Sequence, residues 1–338
     1  MIDLLVAGGG PVGMATALYA AQRGLSVAIA EPRSGPIDKA CGEGLMPGAV
    51  SALNTLGIGV SGRAFHGIRY TDGHRTAEAT FSSGHGLGVR RLALSSSLLD
   101  GLERHSVDVL PKPVDRLDTT ADSVRAAGVT ARYLAAADGL HSPLRRMCGL
   151  DVPAQGPRRF GLRRHYAVQP WTELVEVHWG PDCEAYVTPV GEYLVGIAIL
   201  TGRRGTFEEH LRAFPRIRER LPDAAATATR AAGPLRQRSR ARTSGRVLLV
   251  GDAAGYVDAL TGEGLAIGLA SARALVDSVA ADDPASYERS WLEATRRYRR
   301  ITEGLLWARN RPRLARAIVP AASRLPRVFG SAVDALAR

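Results

Sequence analysis

A glycine-rich turn near the start of the chain constrains its fold more than any other feature of the sequence. Residues 2–7 are apolar and run into the turn Gly-Gly-Gly-Pro-Val-Gly at residues 8–13, after which a helix is expected from Met14. A second apolar segment, residues 26–30, ends at Glu31. This order predicts a dinucleotide-binding unit: a strand, a G-x-G-x-x-G turn, a helix, a second strand and an acidic residue.

Each position of this turn has a physical role in such a unit. Gly8 permits the tight turn, Gly10 lets backbone N–H groups approach a pyrophosphate at the helix N-terminus, and Gly13 lets the helix and the strand pack closely. Pro11 and Val12 complete the segment that faces the phosphates. We therefore assign these five residues to a cofactor site, the alternative being a glycine-rich loop without a ligand.

Glu31 indicates which nucleotide the unit binds. Its carboxylate can accept hydrogen bonds from both hydroxyls of an adenosine ribose, and its charge would repel a 2′-phosphate. The tightly bound nucleotide is therefore expected to be FAD or NAD rather than NADP.

The charge of the chain argues against a nucleic-acid partner. The formal net charge is +11, but Lys39 and Lys112 are the only lysines. Arginine in place of lysine, together with abundant alanine, is typical of a GC-rich genome, and no nucleic-acid-binding motif accompanies the charge. Anionic small molecules and acidic lipids stay compatible with it.

The cysteines and the apolar segments limit the cellular setting. Cys41, Cys148 and Cys183 lie far apart, without a C-x-x-C pair or a His/Cys cluster at metal spacing, which predicts no metal site and a reducing cytoplasm. The apolar start carries Asp3 and lacks a basic segment, so it is interpreted as a core strand and not as a signal peptide. No uncharged apolar stretch is long enough to span a membrane.

Two further motifs follow the glycine-rich turn in the chain. One is Ala-Asp-Gly-Leu-His-Ser at residues 137–142, and the other is Gly-Asp-Ala-Ala-Gly at residues 251–255 with Thr-Gly-Glu-Gly at residues 261–264. Three motifs in this order resemble the flavoprotein superfamily of p-hydroxybenzoate hydroxylase-type monooxygenases and geranylgeranyl reductases. The resemblance covers most of the chain and implies an α/β fold, in which a Rossmann-type FAD-binding domain carries an inserted, mostly antiparallel β-sheet substrate domain and C-terminal helices.

The resemblance also implies roles for single residues. Asp252, after Gly251, would bind the ribityl hydroxyls of FAD, and Arg91 would lie near the FAD phosphates. Asp138 and Gly139, with Arg145 nearby, would lie near FAD and the path of NAD(P)H. The N-terminus of a helix at Gly262, Glu263 and Gly264 would face the pyrimidine edge of the flavin. The alternatives are a turn cap for Asp138, a surface position for Arg91 and a helix N-cap for Asp252.

The residues around Cys41 bear on the branch of this superfamily. Two segments, Cys41-Gly42-Glu43-Gly44 and residues 261–264, are similar to the reductase branch. In a reductase, Cys41 would be the proton donor. The alternative is that Cys41 is only a small buried side chain of the core. Tyr186 and Pro189 lie where that branch has a strand that lines the substrate cavity. Flavin-dependent halogenases use a lysine from the first third of the fold, and no lysine lies between Lys39 and Lys112, so this group is set aside.

The length of the chain points the other way, because it leaves little room for a long lipid tunnel. We therefore predict an FAD-dependent, NAD(P)H-driven monooxygenase of a small hydrophobic or aromatic metabolite, in secondary metabolism, with NADPH as the transient donor. The first alternative is a geranylgeranyl reductase-like ene-reductase of an isoprenoid or polyketide double bond. The second is a non-catalytic flavin-binding protein.

The predicted FAD-binding domain is discontinuous and comprises residues 1–65, 86–152 and 240–285, whereas residues 66–85 and 153–239 form the substrate domain. Residues 286–338 are predicted to be C-terminal helices. The segment from Tyr287 to Arg309 is basic and amphipathic, so it is a candidate for weak contact with a membrane surface, the alternative being a helix packed on its own domain. The sequence makes no prediction of the oligomeric state.

Overall fold

The computed structural model describes residues 1–337 of the chain, which form an α/β fold around two large sheets. The strands are β1 (Ile2–Ala7), β2 (Val27–Ala30), β3 (Gly44–Leu45), β4 (Arg63–Phe65), β5 (Gly67–Thr71), β6 (Thr76–Thr80), β7 (Gly86–Gly88), β8 (Asp108–Leu110), β9 (Asp118–Thr119), β10 (Val124–Ala126), β11 (Val129–Ala136), β12 (Asp151–Val152), β13 (Phe160–Tyr166), β14 (Val175–Trp179), β15 (Cys183–Gly191), β16 (Leu194–Thr201), β17 (Arg230–Ala232), β18 (Arg238–Ser239), β19 (Thr243–Ser244) and β20 (Val247–Leu249).

The helices alternate with the strands in the first half of the chain and dominate its end. They are α1 (Pro11–Gln22), α2 (Pro47–Thr55), α3 (Arg91–Arg104), α4 (Pro143–Met147), α5 (Phe207–Leu211), α6 (Pro215–Arg218), α7 (Gly264–Ala280), α8 (Pro284–Arg309), α9 (Pro312–Ala315), α10 (Ile318–Arg324) and α11 (Pro326–Ala337).

The first sheet carries the glycine-rich turn. Its strand order is β19-β20-β11-β1-β2-β8, and the pairs β20–β11, β11–β1, β1–β2 and β2–β8 are parallel. Leu4, Leu5 and Val6 of β1 have no exposed surface, as expected for a central parallel strand covered on both faces. Helices α3 and α7 both pack on α1, so the turn before α1 lies at the centre of the layered domain.

Helix α1 begins earlier than the sequence indicated. The prediction placed its start at Met14, whereas the structure begins the helix at Pro11, with Gly10 as the N-cap. Proline fits the first helical position because its fixed φ suits the helix and its missing N–H is not needed there.

The second sheet has the order β17-β13-β16-β15-β14-β5-β6, in which every pair is antiparallel except β14–β5. Strands β5 and β6 come from the segment 66–85 and join strands from residues 153–239. A small sheet, β3-β7-β4, packs against β15. At this junction a Cβ on Gly88 would lie 1.7 Å from the Pro189 carbonyl oxygen, so only glycine allows the two backbones to approach so closely.

The C-terminal helices cover the edge of the second sheet. Helices α10 and α11 pack on β6, and the Phe329 ring lies 4.9 Å from the ring of Tyr70. Helix α8 contains the basic segment 287–309, but Trp291 and Tyr298 are buried, so this part of its apolar face packs on its own domain. Within residues 1–337, no helix is both long and apolar enough to cross a membrane.

Candidate functional site

The glycine-rich turn lies so close to neighbouring backbone atoms that side chains at two of its positions would clash. Gly8 has φ +113°, and a Cβ there would lie 2.5 Å from the Ala137 carbonyl oxygen. A Cβ on Gly13 would lie 1.9 Å from the carbonyl oxygen of Gly8, whereas one on Gly10 would meet no atom within 4 Å. The turn is therefore tight toward β1 and β11 and open on the side of Gly10, where a phosphate would lie.

Glu31 lies directly beside this turn and is only 3% exposed. Its carboxylate accepts hydrogen bonds from the Gly9 N–H at 2.8 Å and from Arg33 Nε at 2.7 Å. Burial raises the pKa of Glu31, but these hydrogen bonds outweigh it and hold the pKa below its usual value. The carboxylate is thus ionised, and a ribose would have to share it with Arg33, which is half exposed.

A charged cluster faces the turn from the end of β20. Asp252 lies on a short 3₁₀ turn (Gly251–Ala254), and burial raises its pKa while the positive charges of Arg91 and Lys39 lower it. Burial also lowers the pKa of Lys39, as do the nearby Arg33 and Arg91. A Cβ on Gly139 would lie 3.5 Å from Lys39 Nζ. Lys39 could not be assigned to this site from its neighbours in the sequence, because an isolated lysine in a loop carries no motif.

Asp138 caps a turn with one carboxylate oxygen and has no partner for the other. Its Oδ2 accepts a hydrogen bond from the Leu144 N–H at 2.9 Å, so it caps the turn before α4, whereas its buried Oδ1 has no partner. Burial raises the pKa of Asp138. Arg145 is 1% exposed and bonds to Asp151 at 2.7 Å and to the Ala253 carbonyl at 3.1 Å. Arg145 therefore joins the second motif to the third.

The residues present fit FAD. The turn at residues 8–13 is open where the pyrophosphate would lie, and the Nε atom of Arg91 and the Oδ1 atom of Asp138 are buried without a partner. A buried polar atom without a partner is costly, so it marks a place where a ligand supplies the missing hydrogen bond. In this arrangement the glycine turn, Lys39 and Arg91 would hold the phosphates, and Asp252 would hold the ribityl chain.

The loop of Cys41 lies beside this cluster. Cys41 is half buried. Removal of its thiol from water raises the pKa, so the thiol is protonated at neutral pH. Its Sγ accepts a hydrogen bond from the Glu43 N–H at 3.4 Å, and the Gly42 carbonyl accepts one from Thr188 Oγ1 at 2.9 Å. Strand β15 of the second sheet thus contacts the loop directly.

Glu43 holds this loop in place and was not singled out by the sequence. It is 3% exposed and has φ +60°, a left-handed conformation that is uncommon for a residue other than glycine. Glu43 Oε2 lies 2.5 Å from His165 Nε2, and Glu43 Oε1 accepts a hydrogen bond from the Arg91 N–H at 2.8 Å. On the other side of the ring, His165 Nδ1 lies 2.9 Å from Thr227 Oγ1 and 3.2 Å from Arg163 Nη1, so both ring nitrogens have polar partners.

A second buried charge cluster fixes the segment before Gly262. Arg159 bonds to Glu184 Oε2 at 2.6 Å and to Asp258 Oδ2 at 3.0 Å, and Arg309 of α8 also bonds to Glu184. Tyr298 of α8 donates to the Asp258 carbonyl at 2.9 Å. The second sheet, the third motif and α8 are therefore joined through charges that are distant in sequence.

Glu263 lies at the start of α7 but does not cap it with its side chain. It is 4% exposed, and its Oε2 has no partner. Burial raises its pKa to about 8, although a hydrogen bond with Thr261 and the charge of Arg297 act in the opposite direction. Glu263 lines a cavity of about 480 Å³ between α2, α7 and α8. Gly262 has φ +73° in the turn before it, and Gly264 begins the helix beside the Tyr256 ring.

The two residues predicted for a substrate pocket occupy different environments. Tyr186 donates to the Leu260 carbonyl at 2.8 Å and is half buried between the second sheet and the third motif. Pro189 is buried at the junction with Gly88. Tyr186 is therefore placed where it could contact a ligand near the third motif, whereas the Pro189 backbone joins two sheets.

Comparison with known proteins identifies the family. The model of the FAD binding domain family matches residues 115–289, which is more than half of the chain. The chain belongs to this family. It is an FAD-dependent oxidoreductase, and FAD is its cofactor.

Among curated proteins, the chain is similar to two reductases. It is 28% identical to the menaquinone reductase of Mycobacterium tuberculosis over 80% of this chain and 74% of that protein. It is 25% identical to the digeranylgeranylglycerophospholipid reductase of Methanothrix thermoacetophila over 86% of this chain and 83% of that protein.

Solved structures show the same fold at lower identity. A flavin-dependent brominase superposes with a TM-score of 0.85 at 14% identity, covering 99% of this chain and 93% of the brominase. A flavoprotein/dehydrogenase from Cytophaga hutchinsonii superposes with a TM-score of 0.78 at 20% identity, covering 98% of this chain and 96% of that protein. These similarities confirm the predicted α/β flavoprotein fold.

Proposed function

We propose that this FAD-dependent oxidoreductase is a reductase that saturates a carbon–carbon double bond of an isoprenoid lipid, with NAD(P)H as the electron donor. The observation that carries the proposal is the position of the Cys41 thiol, in a loop that Glu43 ties to Arg91 of the cofactor site. The names of the two curated relatives support it, since both are reductases and one acts on a geranylgeranyl-bearing phospholipid.

Saturating a double bond requires a hydride on one carbon and a proton on the other. FAD, when bound and reduced by NAD(P)H, supplies the hydride. Cys41 supplies the proton, because its raised pKa keeps the thiol protonated at neutral pH. The thiolate that results takes a proton from solvent, so each turnover consumes one NAD(P)H and one proton for each double bond.

The surroundings of Cys41 suit a group that gives up a proton and regains it. The Glu43 N–H that points at Sγ and the positive charges of Arg91 and Arg163 all favour the thiolate. Burial and the Glu43 carboxylate favour the thiol. The network of Glu43 and His165 fixes the loop, so the thiol keeps its position in both protonation states.

The electron donor binds without a dinucleotide motif of its own, because the chain has one such motif and FAD occupies it. We expect NAD(P)H to bind transiently over the domain interface, with NADPH preferred, and with arginines contacting its phosphates. A second nucleotide held stably in its own Rossmann site would contradict this part of the proposal.

Turnover without oxygen tests the proposal. The reduced holoenzyme, incubated anaerobically with an isoprenoid quinone or a geranylgeranyl lipid, should saturate a double bond. Cys41→Ala should lower the rate at least a hundredfold, while FAD content and the rate of flavin reduction by NADPH stay unchanged. Cys148→Ala, which alters a half-buried cysteine elsewhere, is the matched control.

The monooxygenase predicted from the length of the chain is the second candidate, and the same experiment separates the two. Oxygen consumption coupled to hydroxylation of a small hydrophobic or aromatic metabolite, without anaerobic turnover, would support the monooxygenase and refute the reductase. A protein that binds FAD but oxidises no NAD(P)H under either condition would be the non-catalytic alternative.

A further inference from the structure

The outer side of the last helices combines exposed apolar side chains with positive charge. We use the term C-terminal surface for the exposed residues between 307 and 328. Four large apolar residues there are strongly exposed: Trp307 at 55%, Leu314 at 36%, Leu325 at 55% and Val328 at 63%. Residues 304–333 contain no aspartate or glutamate.

The same segment carries five exposed arginines. These are Arg311, Arg313, Arg316, Arg324 and Arg327. Arg311 lies over the Trp307 ring, 4.0 Å from its centroid, so the largest apolar group of the surface is directly next to a cation. Exposed tryptophan, leucine and valine among arginines are typical of a surface that enters the headgroup region of a bilayer.

The helices that carry this surface are firmly attached to the protein. Val319, Phe329 and Val333 are buried, and Phe329 packs on Tyr70 of the second sheet. Asp334 Oδ1 accepts a hydrogen bond from the Ser82 N–H at 2.7 Å. The apolar residues of the inner side are therefore used for packing, while those of the outer side have no packing role to explain their exposure.

We propose that the C-terminal surface docks this protein on a membrane that contains anionic lipids. Leu325, Val328 and Trp307 would enter the interface between headgroups and acyl chains, and the arginines would contact lipid phosphates. The charge complementarity selects an anionic bilayer over a neutral one, and each arginine near such a surface strengthens binding by about fivefold. Docking does not depend on the reaction proposed above, since it involves none of the residues of the cofactor site.

The position of this surface differs from the sequence-based expectation. The candidate for membrane contact was the segment 287–309, but its aromatic residues Trp291 and Tyr298 are buried in the protein. Trp307 is the part of that segment that reaches the surface. The docking residues extend from there through α9 and α10 to the start of α11.

Co-sedimentation of the holoenzyme with lipid vesicles tests the proposal. Vesicles of phosphatidylglycerol and phosphatidylcholine should bind the protein at least tenfold more tightly than vesicles of phosphatidylcholine alone. The double variant Leu325→Ser/Val328→Ser leaves the charge unchanged and should weaken binding to the anionic vesicles about tenfold. The matched control, Val109→Ser/Tyr193→Ser, removes exposed apolar residues elsewhere and should bind as the wild type does.

Two triple variants that lose the same positive charge distinguish binding through this surface from a general attraction of anionic lipid to a basic protein. Arg313→Gln/Arg324→Gln/Arg327→Gln should weaken binding more than tenfold, whereas Arg212→Gln/Arg216→Gln/Arg218→Gln, at other exposed positions, should have little effect. Equal losses in the two triple variants, or no binding to anionic vesicles, would overturn the proposal. Capture of a nucleic acid or a protein through the same residues, with vesicles ignored, would also overturn it.

Fluorescence gives an independent, local readout. Within residues 1–337, Trp307 is the only exposed tryptophan, since the others are buried or half buried. Its emission should therefore shift to shorter wavelength when anionic vesicles are added, and Trp307→Phe should remove that shift while sedimentation is retained. Sedimentation without any shift would place the contact elsewhere on the protein and contradict the proposal.

Discussion

The carboxyl group of Glu263 should make the stability of this protein depend on pH in an unusual direction. Glu263 is 4% exposed with its Oε2 unpartnered, and burial raises its pKa from an ordinary 4.5 to about 8. In the unfolded chain the same carboxyl loses its proton near the ordinary value. Between these two pH values the folded protein therefore holds a proton that the unfolded chain has released.

The sign and the size of the effect follow from this difference. Because the folded state binds the extra proton, the contribution of Glu263 to the free energy of unfolding is complete below pH 4.5 and is lost as the pH rises toward 8. The loss is about 1.4 kcal/mol per pH unit, so a shift of about 3.5 units, from 4.5 to about 8, gives roughly 5 kcal/mol as an upper limit.

Glu263→Gln removes the titration and keeps the shape of the side chain. The variant should match the wild type near pH 4.5 and become more stable than it as the pH rises, by up to the full difference at pH 8 to 9. Glu103→Gln, at an exposed position on α3, is the control and should stay within about 0.5 kcal/mol of the wild type at every pH.

Denaturant unfolding followed by far-UV circular dichroism between pH 4.5 and 9 measures these curves. The variant and the wild type should be compared with FAD at the same saturating concentration, because bound cofactor adds stability by mass action. Parallel curves for wild type and Glu263→Gln would show that the buried carboxyl does not retain its proton, and would refute the reasoning.

Three further predictions concern the cofactor site and the contacts that hold it. Asp252→Ala should weaken FAD binding by about 1–3 kcal/mol in a fluorescence titration, and unchanged affinity would remove Asp252 from the cofactor site. Gly88→Ala should lower the free energy of unfolding by about 3 kcal/mol, because its Cβ would meet the Pro189 carbonyl, whereas Gly59→Ala, with no atom within 4 Å, should not. Arg145→Gln should lower the free energy of unfolding by about 2–4 kcal/mol, because it removes the bonds to Asp151 and to the Ala253 carbonyl. Arg146→Gln, at the exposed neighbouring position, should change it little.

The sequence predicted those parts of the site that are built from adjacent residues. The glycine turn and the strand that ends before Glu31 follow from local patterns, since φ preferences and apolar periodicity act over a few residues. The start of α1 was wrong by three residues, because the apolar run suggested Met14 while the proline at residue 11 already satisfies the first turn.

The contacts between distant segments could not be predicted in this way. Glu43 and His165 lie 122 positions apart, and nothing in the residues around either one indicates the other. Lys39 has no motif, yet it lies in the cleft beside Gly139. The Glu43–His165 contact depends on where the second sheet packs against the first, and the approach of Lys39 to Gly139 depends on the path of a long loop. A single sequence encodes neither placement in a local pattern.

The hydrogen bonds around Glu43 make the position of Cys41 depend on both sheets. The Cys41 loop follows the nucleotide-binding unit in sequence, but His165 and Arg163 on β13 and Thr188 on β15 hold it. A movement of the second sheet relative to FAD would therefore carry the thiol with it. In the proposed reaction the proton donor must stay close to the carbon that it protonates, so anchoring the thiol to that sheet would keep it aligned with a substrate bound there.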